Sequence, residues 1–314
     1  MNQAVFLHPK NHKQKIFKSK YNLDRFGFSY SLRKYIGMKA HLRPFCNWLH
    51  GVIWYDEMIE VEDLIGPMPY RKDLNIIVSS EKQEEVCLKA GYQNVFKGGL
   101  PIIYAQDRLY KRSKDTLVCF ITHSSESQKH NVIDLNYLDY LESLRNNFKE
   151  IFVSVFSLDI TEEIIFEITR RGLILYYGGN PSDKLSLDRT KALLSYAEYV
   201  SSNSMDSSIG YALMYGCKVS IFNQINKYDR SNIVNSGWDK RHIERFEYFD
   251  SYEYLYGKYP ELFLPIEKSI TNNKLGEDLC GLSFKLNRAD AKKASGWSLS
   301  EQLRNYKSAF LKRI

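Results

Sequence analysis

The sequence predicts an α/β protein of two domains, each built on a parallel sheet, and three observations predict it. From Thr116 onward, apolar runs rich in β-branched and aromatic residues alternate with amphipathic stretches of about ten residues, the pattern of βαβ units. A polar, basic break at Tyr110-Lys111-Arg112-Ser113-Lys114-Asp115 separates this region from a shorter strand–helix–strand pattern before it. The length of 314 residues suits two domains at ~150 residues each. The boundaries expected are 1–112, 113–290 and a C-terminal basic helix over 291–314 that packs back on the first domain.

The elements follow in order. In the first domain Phe45 to Trp54 is apolar enough for a buried strand and turn. Leu74 to Ser79 is a strand, and Glu81 to Ala90 a helix stopped by Gly91. Val95–Phe96 and Ile102–Tyr104 flank Gly98-Gly99-Leu100-Pro101, whose glycines permit close backbone approach. In the second domain Thr116 to Thr122 is a buried strand. Leu135, Leu138, Leu141 and Leu144 recur at helical spacing, and Ile151 to Phe156 is the next strand. Thr161 caps a helix to Arg171, Gly172 stops it, and Leu173 to Tyr177 is a strand. Ser186 opens a helix to about Ala197, Tyr199 to Ser202 is a short strand, Ser207 opens a helix to Tyr215, and Lys218 to Phe222 closes the series. Right-handed crossovers make this a Rossmann-like layer. Residues 223–314 read as helices and loops anchored by Trp238 and Trp297.

Composition narrows the class. Apolar residues at 44% and charged residues at 26% exclude a mainly disordered chain, a collagen and a coiled coil. Five scattered cysteines, without CxxC or zinc spacing, point to buried thiols in a reducing, cytoplasmic setting. Neither a membrane-length apolar run nor a signal-peptide core is visible. Charge is uneven: residues 1–44 hold ten Lys/Arg against one Asp, and 282–314 eight against two acids, so the body between is acidic. Basic ends imply an anionic partner, with an anionic membrane surface at the inner face of the plasma membrane as the candidate; solvated helix faces explain the same charges.

The most informative motif is Asn203-Ser204-Met205-Asp206-Ser207-Ser208, where a strand passes into a helix through small polar residues. The free amides of a first helical turn attract anions, and Ser207 and Ser208 add hydroxyl donors. At the carboxyl end of a parallel strand this is where ligands bind; plain N-capping would need one such residue. Thr122-His123-Ser124 ends the first strand of the second domain, so His123 and Ser124 are candidates to meet a phosphate or leaving group. In Trp48-Leu49-His50-Gly51-Val52-Ile53-Trp54-Tyr55-Asp56-Glu57, His50 and Asp56 are the candidate bases, against a core histidine and a solvated acidic face. Gly178-Gly179-Asn180 follows a strand and would sit against a base or ribose, or form an ordinary turn.

The run Tyr199-Val200-Ser201-Ser202-Asn203 followed by Ser208-Ile209-Gly210-Tyr211-Ala212-Leu213-Met214-Tyr215-Gly216-Cys217-Lys218-Val219 resembles the donor domain of GT-B glycosyltransferases of bacterial surface polysaccharide (capsule, O-antigen, lipopolysaccharide) synthesis. The two adjacent serines resemble members that use CMP-sugars, and His50-Gly51 resembles the His-Gly loop of their acceptor domains. The resemblance implies a GT-B fold, a nucleotide-sugar donor (CMP- or UDP-linked) and a glycan or lipid-linked glycan acceptor. It also implies a donor phosphate held by Asn203, Ser204, Ser207 and Ser208 with Ser124, Gly178 and Gly179, a base at His50 or Asp56, and His123 at the leaving group. No Glu-x7-Glu of the retaining hexosyltransferases lies near this run, and Asp206-Ser207-Ser208 stands where pyruvyl transferases of similar build carry Arg-x-His.

GxGxxG, GxxxxGK[ST] and GxSxG are absent, which counts against a dinucleotide enzyme, a P-loop NTPase and an α/β-hydrolase. No DxD ends a strand, so neither metal nor cofactor is expected. Two other classes compete: a nucleotide-sugar epimerase on the same fold, and a non-catalytic nucleotide- or nucleic-acid-binding module. The acidic body and the lack of any RNA- or DNA-binding signature set nucleic acid aside as a partner.

Overall fold

The computed structural model describes residues 18, 24–40, 42–49, 51–57, 60–65, 72–107, 110–124, 133–222, 240–298, 300, 301 and 303. Two parallel sheets form the frame. The first has three strands in sequence order: β1 (Cys46–Trp48), β2 (Asn75–Val78) and β3 (Val95–Lys97). The second has five, in the order β6 (Ile174–Tyr177), β5 (Glu150–Val155), β4 (Ser113–Phe120), β7 (Ala197–Ser202), β8 (Lys218–Ile221). The α/β class with two parallel sheets is thus the observed one.

The apolar runs become strands because both faces of the larger sheet are covered. Along β4, Val118 and Phe120 enter one core with Phe152, Val200 and Val219, while Leu117 and Cys119 enter another with Ile151 and Val153. The strand's period of two thus feeds two separate cores.

Helices cover these faces. Helix α1 (Phe28–Ile36) lies between left-handed Gly27 and Gly37, at φ 71° and 84°. It was not anticipated from the sequence. It is followed by α2 (Glu62–Ile65), α3 (Glu81–Lys89), α4 (Leu135–Ser143), α5 (Glu162–Arg170), α6 (Ser186–Tyr196), α7 (Ser207–Met214), α8 (Lys240–Phe249), α9 (Tyr252–Lys258), α10 (Asn273–Cys280) and α11 (Arg288–Ala294). Thr161 caps α5 by accepting from the Ile164 amide, as its position predicts. All five cysteines are free and buried.

Residues Pro101–Tyr104 form a 3-10 turn, because Pro101 lacks a ladder donor. Ser186 and Ser207 open α6 and α7 as their first helical residues; Leu185 before α6 makes no side-chain cap, and α7 is capped by Asp206.

Helix α1 joins the two sheets' domains. It packs on the 101–104 turn, on α6 and on α11. Its Ser31 hydroxyl donates to the buried Asp188 carboxylate of α6 at 3.1 Å, and Lys34 pairs with the same carboxylate at 3.2 Å. Helix α11 packs on α1 and β2, where the Asn75 side chain donates to the carbonyls of Lys293 and Ala294. Trp297 is buried and its indole N–H donates to the Arg43 carbonyl; Trp238 lies outside the described residues. No helix among the described residues is long and apolar enough to cross a membrane.

Candidate functional site

The chain runs from β4 outward to β5 and β6, then returns to place β7 on the other side of β4. The gap between the carboxyl ends of β4 and β7 is therefore the point where strand order reverses, the place where open α/β sheets bind ligands. Two loops meet there, 121–124 after β4 and 203–208 after β7.

The floor is locked by Asn203, which is fully buried. Its side-chain oxygen accepts from the Thr122 amide and hydroxyl at 2.8 and 3.1 Å, and its NH₂ donates to Asp134 at 2.8 Å. Asp134 in turn caps α4 through the Tyr137 amide. The amide of Asn203 is therefore spent on joining β4, β7 and α4. Ser204 is also buried, its amide donating to the Ser202 hydroxyl at 3.1 Å.

Above this floor the turn opens at Asp206, Ser207 and Ser208, each half-buried. Asp206 caps α7: its Oδ1 accepts from the Ser208 amide at 2.8 Å. Its Oδ2 is buried and has no hydrogen-bond partner among the described residues. Burial raises the Asp206 carboxyl above the usual carboxylate range, and His123 pulls it part of the way back. The Ser207 hydroxyl accepts from the Val52 amide at 2.9 Å, so the segment after β1 touches the start of α7 directly. A Cβ on Gly210 would lie 2.7 Å from the Val52 side chain, which keeps this approach close.

His123 stands beside this turn. Its Nδ1 is 2.8 Å from the Ser124 carbonyl. A carbonyl only accepts, so Nδ1 carries a proton and Nε2 is the ring's acceptor in the neutral form. The ring stacks on Phe156 at 4.7 Å between centroids and 27°. Ser124 is buried, and its amide donates to Asp159 at 2.8 Å. Phe156 continues to Phe26, whose backbone is left-handed at φ 55° and whose ring lies 6.4 Å away. A Cβ on Gly179 would lie 3.4 Å from Phe26 and 3.5 Å from Phe156, so this glycine packs flat on the aromatic pair. Gly178 is more constrained, since a Cβ there would fall 2.7 Å from Ser154 Oγ and 2.8 Å from the Val155 carbonyl. Next to Phe156, the Ser157 hydroxyl is a second buried polar atom without a partner among the described residues.

The structure thus gathers His123, Ser124, Ser207, Ser208, Gly178 and Gly179 along one sheet edge, with Asn203 and Ser204 beneath it. His50 lies outside the described residues. Asp56 is exposed and pairs with Lys258 of α9 at 3.1 Å. Beside it Tyr254 donates to Glu57, and Arg245 pairs with Asp63 at 3.1 Å. Asp250, between α8 and α9, is pushed up by burial to about 7. Burial, then Asp63 and to a lesser degree Asp250, push the Tyr55 phenol up to about 12. Glu60, Glu62 and His242 bring ligand atoms within 4.8 Å of one another, and Arg241 already neutralises Glu60 there at 2.7 Å.

Sequence reasoning missed Asp206, Phe156, Ser157 and Asp250 as site features. Asp206 was findable, since Asp directly before a helix is a strong cap signal. Nothing local marks the other three.

No family model matches the chain, and neither does any curated protein. Solved structures of distant similarity include S. aureus MnaA with UDP, at 14% identity over 83% of this chain and 81% of that one, TM-score 0.38. A Listeria monocytogenes protein described as a UDP-N-acetylglucosamine 2-epimerase aligns at 11% identity over 80% and 76%, TM-score 0.37. TarM aligns at 11% identity over 90% of this chain but only 53% of its own length, TM-score 0.31. Scores this low transfer no property from those proteins to this chain.

Proposed function

We propose that this chain is a GT-B-type enzyme that binds a nucleotide sugar at the junction of β4 and β7 and transfers the sugar to a hydroxyl of a surface-glycan or lipid-linked acceptor. One observation carries the reading: the strand-order reversal brings His123 and the Asp206–Ser208 turn together, and the Val52 amide of the first domain bonds Ser207 at that spot. A ligand seated there meets both domains.

In this reading His123 and the capped start of α7 meet the departing phosphate. Stabilising that charge is a main catalytic contribution. Phe156 and Phe26 behind His123 fix the ring and keep water from that side. Asn203 and Ser204 act as positioning residues rather than ligands, because their polar atoms are used within the fold. The acceptor base comes from the first domain, His50 or Asp56. The basic termini would hold the enzyme on an anionic membrane surface.

A thermal-shift panel of UDP, GDP, CMP and ADP tests the binding site. At least one nucleotide should raise the melting temperature of the wild type, and His123→Ala and Ser208→Ala should each reduce that rise while remaining folded. An unaltered rise in both variants would place the site elsewhere. Loss of salt-sensitive flotation with anionic liposomes would remove the membrane part alone.

A second reading, epimerisation of the nucleotide sugar, draws on the pairing of two titratable groups, His123 and Asp206, on the donor side without any acceptor. Incubation with donor alone separates the two: conversion of the sugar without acceptor favours the epimerase.

A further inference from the structure

A phosphate approaching the first turn of α7 does not find it empty. Asp206 Oδ1 already takes the Ser208 amide at 2.8 Å, and the Ser208 hydroxyl and Ile209 amide also bear on this carboxylate. The Ser207 hydroxyl is committed to Val52. The position that the dipole of α7 prepares for an anion therefore holds the chain's own anion. Two negative charges in contact repel strongly where water is excluded.

Oδ2 of Asp206 removes the conflict. It is buried, unpaired among the described residues, and lies at the junction of β4 and β7. A buried polar atom without a partner needs an explanation, and a ligand atom supplies one. An ionised carboxylate is acceptor-only, as are phosphate oxygens; a protonated one carries an O–H donor.

We propose that Asp206 is a proton-coupled gate for phosphate. The carboxylate takes one proton from solvent as the phosphate ester enters, and the resulting carboxyl O–H donates from Oδ2 to a phosphate oxygen. No bond to phosphorus forms or breaks, and the proton returns to solvent when the ligand leaves. This rests on the nucleotide-sugar reading above and adds how the site admits the anion.

The groups facing Asp206 leave it as the titrating member. His123 reaches it from the end of β4. On its own helix Tyr211 is held neutral by burial, and from α10 Cys280 faces Tyr211 with its thiol likewise pushed up by burial. Among the described residues, the segment after β1 brings Gly51 and Val52 here, neither of them titratable. Asp159 and Asp134 are turned to Ser124 and Asn203 through hydrogen bonds. Burial already moves Asp206 toward its protonated form, which reduces the cost of taking up the proton.

Calorimetry with the sugar nucleotide of whichever nucleoside responds in the thermal-shift panel tests this, in two buffers of different ionisation heat at pH 7. A phosphodiester lacks the second ionisation near pH ~6 of a free phosphate, so the ligand does not itself titrate. The wild type should take up protons on binding the ligand, and its affinity should fall as the pH rises. Asp206→Asn retains a capping oxygen and should bind with no proton uptake and little pH dependence, more tightly than wild type at pH ~8. Asp206→Ser, also a good cap, should behave alike if the Asn variant does not fold. His123→Gln should weaken binding yet keep the uptake. Wild-type binding without proton uptake, or uptake that survives in the Asp206 variants, overturns the gate and leaves the nucleotide reading standing. Failure of all four nucleotides and their sugar conjugates to bind overturns both.

Discussion

The two sides of the junction between the domains are held by opposite means. On the five-stranded side, the loops at 121–124 and 203–208 are tied by buried hydrogen bonds: Thr122 to Asn203, Asn203 to Asp134, Ser124 to Asp159 and Ser208 to Asp206. On the three-stranded side, the acidic segment 56–63 is clasped by α8 and α9 through ion pairs that include Asp56–Lys258 and Arg241–Glu60, with Asp56 almost fully exposed. Buried hydrogen bonds are little screened by salt and hold one geometry, whereas exposed pairs contribute little and yield to salt. On the function proposed above, the fixed half would take the donor phosphate and the adjustable half an acceptor.

Substitutions can break or sharpen this contrast. The largest effect is expected from Gly276→Ala, although it touches neither loop. Its Cβ would fall 2.1 Å from the Met214 amide nitrogen, so α10 must move off α7 and carry the Asp206 turn with it. A loss of about 3 kcal/mol or more in urea unfolding is expected, with any nucleotide response abolished. Asn203→Ala leaves the Thr122 amide and Asp134 without their partner in a buried place, and should cost about 3 kcal/mol by the same measurement.

Asp250→Asn should act in the opposite direction. Burial pushes the folded carboxyl up to about 7 from its ordinary value of 3.8. A raised folded value means that the wild type's stability from this group is complete below pH ~4 and is lost as the pH rises toward ~7. The variant should therefore be more stable by about 2 kcal/mol at pH ~8, a gain that disappears by pH ~4 in paired denaturation curves. Ser207→Ala removes the acceptor for the Val52 amide and a side-chain partner of Tyr211, and should cost about 1 kcal/mol. Asp56→Asn should change stability by less than about 0.5 kcal/mol, and high salt should erase the change. A salt-insensitive loss at Asp56 as large as that at Asn203 would dissolve the contrast.

The strands and helices of the five-stranded domain were legible because each carries its own period. Leu138 and Leu141 mark the inner side of α4, Thr161 its cap position before α5, and the unbroken run Leu117 to Phe120 a strand buried on both faces. Helix α1 was not legible, since its stability comes from Asp188, Lys34 and the neighbouring helices rather than from a strong local signal. The crowd of small polar residues at 203–208 marked a special turn, but its members divide in a way that spacing does not show. Asn203 faces down into the fold, Ser207 faces the other domain, and Asp206 takes the amide that the serines were expected to leave free.

By itself the sequence determined which segments alternate as strand and helix, because periodicity, caps and breakers act within a few residues. Only the tertiary structure decided that β7 returns beside β4, that Val52 meets Ser207, and that Phe156 backs His123. Those contacts join residues far apart in the chain, and their free energy depends on burial and charge that exist only once the two sheets are packed.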